Sequence, residues 1–282
     1  MSKSVCLLVA LTAALAGPGM ADVLYSSMPS PVPPNVPSLG YEATSTAEFG
    51  QGIQLAGGSA ATLTSADVLM SNWALESTYE TLGTSAGFYV PLTLNLYNVG
   101  AGNTVGSLFD SVTTNAFIQW RPEASAGCGT GYLGGDGTCY NGLAQVVTFD
   151  LSGVSAPGQF IYGLAFNTTD YGANPTHVAG PYDSLNFGLM GDGSTSVTPS
   201  TGSDLMANSA YWNTSYGPFY GDGGAGGVGT FRLDANDWTG YDPAVTFNGS
   251  SVPEPGDFGM LAALLAFGAL SAKWRRRQSV TQ

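Results

Sequence analysis

The residues able to do chemistry in this chain are few in kind and uneven in spacing. His177 is the sole histidine of the 282 residues, and a serine relay needs an imidazole held between a nucleophile and an acid. It sits in Gly172-Ala-Asn-Pro-Thr-His177, which reads as a loop, and no Gly-x-Ser-x-Gly elbow occurs; serine acyl transfer is set aside. Acids are plentiful. Glu76, Glu80, Glu123, Asp150 and Asp183 are candidates for a glycoside hydrolase, which needs two carboxyls about 5–9.5 Å apart; spacing alone brings no two of them together. Cys128 and Cys139 flank the Gly-rich segment Gly129–Thr138. Only Arg121 lies near enough in sequence to lower a thiol pKa, and no histidine or second cysteine pair completes a zinc site. The pair is therefore expected to be a disulfide.

Two further groups could bind without reacting. Gly134-Gly-Asp136-Gly137, Gly191-Asp192-Gly193 and Gly221-Asp222-Gly-Gly224 offer hard oxygen ligands in tight loops, the chemistry of a structural Ca²⁺. None matches an EF-hand or a nonapeptide calcium repeat, and turn formation explains each Asp-Gly as well. The metal ligands stay unassigned and no other cofactor is called for. The stretch from Tyr211 to Tyr220 packs five aromatics into ten residues. Tyr211, Trp212, Tyr216 and Tyr220 are the candidate contact surface for a sugar, since a large exposed aromatic patch marks a binding site. The competing reading is that these rings fill the core.

The elements that must position these residues read as strands. Phe88–Val99 is clearest, with Leu92, Leu94 and Leu96 on one face and Thr93, Asn95 and Tyr97 on the other. Similar runs recur at Leu63–Trp73, Ser107–Trp120, Ala144–Leu151, Gln159–Phe166, Ser184–Met190, Gly229–Leu233 and Val245–Asn248, most bounded by Gly, Pro, Asn or Asp. No segment of residues 22–252 shows a convincing 3.6-residue period. The expectation is an all-β fold: one antiparallel β-sandwich, jelly-roll-like, over residues 41–250. Residues 22–40, with five prolines, are expected to be an extended lead-in outside the core.

Charge narrows the partners. Residues 22–252 hold two cations, Arg121 and Arg232, against eighteen acids, a net charge of −16. Nucleic acid and anionic lipid need basic patches and are excluded. Neutral sugars and divalent cations are compatible with such a surface.

The two ends speak of location. Residues 1–21 have Lys3, an apolar run Val5–Ala16 and small residues at Gly19 and Ala21, the pattern of a secretory signal cut by signal peptidase after Ala21. Phe258–Ala272 is fifteen residues without a charge, a short single hydrophobic helix able to span a membrane with help from its flanks. Lys273, Arg275, Arg276 and Arg277 follow and should stay cytoplasmic. Pro253-Glu254-Pro255 precede it, kept extended by the two prolines.

This combination over residues 251–282 resembles the PEP-CTERM sorting signal. The resemblance implies that exosortase, a membrane cysteine protease, recognises Pro253, Glu254 and Pro255 and removes the tail. It also implies a Gram-negative bacterium that makes extracellular polysaccharide, with a transient inner-membrane anchor before release to the surface or matrix. Residues 96–189 resemble, more loosely, a module recurring among such proteins. The stretches are Leu96-Tyr-Asn-Val99, Cys139-Tyr-Asn-Gly142, Val147-Thr-Phe-Asp-Leu151, Ile161-Tyr-Gly-Leu-Ala-Phe-Asn167 and Gly180-Pro-Tyr-Asp-Ser-Leu-Asn186. That likeness implies an extracytoplasmic β domain and adds no chemistry. The expected protein is a non-enzymatic exported component, adhesive or polysaccharide-associated; the rival is a secreted carbohydrate hydrolase using paired carboxylates.

Overall fold

The computed structural model describes residues 22–235 and 237–252. Alternation builds the long strands: in Gly87–Val99, Val90, Leu92, Leu94 and Leu96 are buried, whereas Tyr89 and Pro91 are exposed and Thr93, Asn95 and Tyr97 half-buried. In chain order the strands are β1 (Asp22–Ser26), β2 (Ser38–Gly40), β3 (Thr46–Gln54), β4 (Ala61–Asn72), β5 (Gly87–Val99), β6 (Val105–Gln119), β7 (Tyr132–Leu133) and β8 (Cys139–Tyr140). They continue with β9 (Leu143–Ala156), β10 (Gln159–Ala165), β11 (Leu185–Gly191), β12 (Ser203–Asp204), β13 (Ser209–Thr214), β14 (Arg232–Ala235), β15 (Tyr241–Pro243) and β16 (Val245–Ser251).

Two antiparallel sheets carry the domain. The first runs β1-β16-β4-β11-β15, with β9 on β4 and β2 on β11; the second runs β14-β13-β3-β10-β5-β6, with β12 on β3. Their inner faces meet through aromatic contacts. Phe49 of β3 meets Phe187 of β11 edge-on at 5.6 Å. Phe160 and Tyr162 of β10 close on Phe247 of β16 at 5.1 and 5.4 Å. Along one edge Gln145 of β9 bridges to β6: the Gln119 amide donates to its Oε1 at 2.9 Å and its Nε2 donates to the Phe117 carbonyl at 2.6 Å.

The lead-in expectation is corrected. Asp22–Ser26 is an edge strand paired with β16, Asp22 opposite Gly249, and Leu24 and Tyr25 are buried. Ser38–Gly40 pairs with β11. The five prolines lie between these strands, where no ladder donor is needed, so the sheet domain begins at residue 22 and not 41. Strands β3 and β13 were not expected either. The strand expected at Gly229–Leu233 lies at Arg232–Ala235.

Cys128 and Cys139 are disulfide-bonded, Cα–Cα 5.4 Å, beside the β7–β8 hairpin. Closing so short a loop stabilises by about 3 kcal/mol or less. The bond fits an oxidising compartment. Among the described residues no helix is long and apolar enough to cross a membrane. The signal segment 1–21, the motif Pro253–Pro255, the apolar stretch 258–272 and the cations at 273 and 275–277 lie outside the described residues.

Candidate functional site

The aromatic surface expected at Tyr211–Tyr220 does not form as such. Tyr211, Trp212 and Tyr220 are buried, and only Tyr216, 52% exposed, and Phe219, 37% exposed, reach solvent. The reason is that Ser209–Thr214 is a strand with both faces covered. Trp212 enters the core against Phe49 and Trp238 at 6.1 and 5.3 Å. Tyr211 faces outward but is capped, its ring 6.1 Å from Phe231 and its hydroxyl donating to the Asn103 carbonyl at 2.6 Å. Tyr220 anchors the following loop: its hydroxyl accepts from the Thr214 amide at 3.0 Å, and the Arg232 guanidinium lies 3.8 Å over its ring.

The hydrolase candidates are scattered. Glu76, Glu80, Glu123 and Asp150 are exposed. Glu123 accepts from the Ser77 amide and Asp150 closes a turn onto the Ser152 amide. Asp183 braces the loop after β10, accepting from Thr169 and the Gly180 amide. His177 is exposed, with a left-handed backbone at φ 56°. The Asp-Gly loops spend their carboxylates on turn closure. Asp136 accepts from Thr138 and Tyr140, Asp192 from Ser194, and Asp222 from the Gly224 and Gly226 amides and Arg232. Among the described residues no three of His, Cys, Asp and Glu converge on a metal position.

A site that sequence reasoning missed lies on the outer face of the second sheet. Glu48 of β3 stands opposite Asn213 of β13 and Ala165 of β10. Its side chain crosses Gly163 of β10 to reach β5. There Asn95 Nδ2 and the Tyr97 hydroxyl both donate to its Oε1 at 2.9 Å. Gly163 makes this path: a Cβ there would lie 2.3 Å from Glu48 Oε1. Asn95 is oriented in turn by Ser111, whose hydroxyl donates to Asn95 Oδ1 at 2.7 Å. Glu48 is 8% exposed and forms the floor of a cleft of about 310 Å³ walled by Asn95, Gly172, Asn213, Ser215 and Gly229. Burial pushes its carboxyl above the usual carboxylate range, and the donors on Asn95 and Tyr97 pull it part of the way back. Beside the cleft Tyr97 and Phe231 pair at 5.4 Å. The only trace of this site in the sequence is the polar face of β5.

A buried acid pair ties the sheets together. The Tyr25 hydroxyl donates to Asp204 Oδ1 at 2.7 Å and approaches Asp242 Oδ2 at 3.4 Å, while Gln51 Nε2 lies 3.3 Å from Asp242 Oδ1. Burial drives both carboxyls up, Asp204 to about 6 and Asp242 well above its usual range. Its partners come from β1, β3, β12 and β15, so the cluster is a bolt between layers. Comparison of the chain with protein-family models, curated proteins and solved structures found no match.

Proposed function

We propose that this protein is an exported surface or extracellular-matrix component, carried out by its signal segment, sorted and cut by exosortase at Pro253–Pro255, and that its jelly-roll-like sandwich holds polysaccharide without turning it over. The observation that carries the binding role is the Glu48 cleft. It is built on a rigid sheet face, and its volume falls within the about 300–1,000 Å³ of small-ligand sites. Its amide and hydroxyl side chains can exchange hydrogen bonds with sugar hydroxyls, and an aromatic pair stands at its edge. The net charge of −16 across residues 22–252 disfavours polyanions. Among the described residues Glu48 is the sole acid lining the cleft, and two-carboxylate hydrolysis needs a partner for it, which supports binding over cleavage. The tail supports location: a Pro-Glu-Pro motif, an apolar stretch and an Arg-rich end stand in the order exosortase substrates use.

Migration through gels containing the extracellular polysaccharide of the producing cells tests the binding role. The wild-type protein should be retarded. The Asn95→Ala/Asn213→Ala variant should bind about tenfold more weakly, the loss of one or two net hydrogen bonds. Equal migration of both proteins, or no retardation of either, would refute the cleft as the binding site.

A further inference from the structure

We infer that the polysaccharide recognised at the Glu48 cleft carries free primary amino groups, as in a de-N-acetylated hexosamine polymer. The inference rests on the binding role proposed above and specifies its ligand. Glu48 Oε1 is already held by two neutral donors, Asn95 and Tyr97. Oε2 has no hydrogen-bond partner among the described residues, which leaves one carboxylate oxygen for an incoming group. Among the described residues no cation answers this charge. Arg232 is paired with Asp222 at 2.7 Å, and Arg121 is buried elsewhere with its Nε donating to the Trp73 carbonyl. A carboxylate removed from water without a counter-ion is costly, and a ligand that brings the counter-ion relieves that cost.

An ammonium suits the geometry. It presents three donors to a single acceptor oxygen and needs no bidentate fork, which Glu48 cannot offer with Oε1 engaged. The surrounding groups suit a sugar ring around that ammonium. Asn213 and Ser215 line the wall on the β13 side, able to meet ring hydroxyls, while Tyr97 and Phe231 offer apolar faces alongside. An N-acetyl group at the same position would place a neutral amide where the carboxylate needs a cation, and would add bulk above Gly163. Burial already biases the free site toward its protonated form; an ammonium favours the ionised carboxylate, so its binding transfers a proton from Glu48 to solvent wherever the free carboxyl is protonated.

Calorimetry of the exported protein at physiological salt, with a short glucosamine oligomer and its fully N-acetylated counterpart, tests the inference. The amine form should bind about tenfold more tightly or better, the range of a charge-assisted hydrogen bond. Glu48→Gln should bring the two oligomers to parity while keeping acceptance from Asn95 and Tyr97. Gly163→Ala should do the same by a separate route, because it displaces the carboxylate and leaves the net charge unchanged. A preference that survives in both variants would be general attraction of a cation to an acidic protein, and would overturn the inference. Parity in the wild type, or preference for the acetylated oligomer, would also overturn it while leaving a polysaccharide site standing. Loss of the polysaccharide site itself would show instead in the gel migration of the Asn95→Ala/Asn213→Ala variant.

Discussion

Alanine at position 50 should destabilise the domain by about 3 kcal/mol, the upper range for forcing atoms into a packed interior. Gly50 pairs with Gly163 where β3 meets β10. A Cβ there would lie 1.9 Å from the Tyr162 carbonyl oxygen and 2.9 Å from the Gly163 Cα. Both are backbone atoms of a central strand, so neither can retreat without opening the β3–β10 ladder. On the other side β3 holds β13, Gly50 opposite Tyr211, and the disturbance therefore spreads across three strands and into the floor of the Glu48 cleft. For a domain of this size the melting temperature should fall by roughly 6–12 °C. Gly135→Ala is the matched control, since a Cβ there meets nothing within 4 Å, and it should lie within about 0.5 kcal/mol of wild type. Denaturant unfolding that finds the two variants alike would mean that β3 and β10 are not in this close contact.

Acidification from pH 8 to pH 5 should stabilise the protein, the reverse of ordinary acid lability. Asp204 titrates near 6 in the folded domain, raised from 3.8 by burial, while the hydrogen bond from the Tyr25 hydroxyl pulls it part of the way back. A carboxyl whose folded pKa is raised contributes stability that is fully present below its unfolded pKa and is lost as pH rises through the folded value. The window for Asp204 is therefore about pH 4 to 6, and the contribution is gone by about pH 7. Its size is about 2–3 kcal/mol, from about 1.4 kcal/mol per pKa unit. Asp242, Glu48 and Asp234 are raised as well, each chiefly by burial, and act in the same direction. Asp136, Asp150, Asp192 and Asp222 are lowered, chiefly by side-chain hydrogen bonds; their contributions are lost only below the ordinary carboxylate range and do not oppose the trend. Asp204→Asn keeps an acceptor for the Tyr25 hydroxyl and removes the titration. The variant should be more stable than wild type at pH 8 and similar at pH 4. A melting temperature that falls steadily from pH 8 to pH 5 in the wild type would contradict this reading of the buried acids.

Much of the fold was legible because alternation is a local property. Leu92, Leu94 and Leu96 against Thr93, Asn95 and Tyr97 announce β5, and Val147, Phe149 and Leu151 announce β9. Strand β3 was hidden because Gly50 and Gly52 replace its outward side chains, and the reason for those glycines lies on β10 and β13, far away in sequence. Strand β13 was misread for the opposite cause. Its aromatics look like a surface patch, yet Tyr211 is covered by the loop at Asn103 and Trp212 by Phe49 and Trp238, and neither cover is visible in the local pattern. The prolines of residues 22–40 concealed β1 and β2, which are short and lie outside the Pro-rich run. Glu48 carried no signal as one acid among eighteen. What distinguishes it is its register opposite Asn213 and beside Gly163, a relation that exists only once four strands have assembled.

Export and processing are tested most directly by the intact mass of the protein recovered from the cell surface and the medium. The expected mass is that of a chain beginning at Asp22 and lacking Arg275–Arg277, with its end near Pro253. A mass that retains residues 273–277 would contradict removal of the tail and make this a membrane-anchored protein.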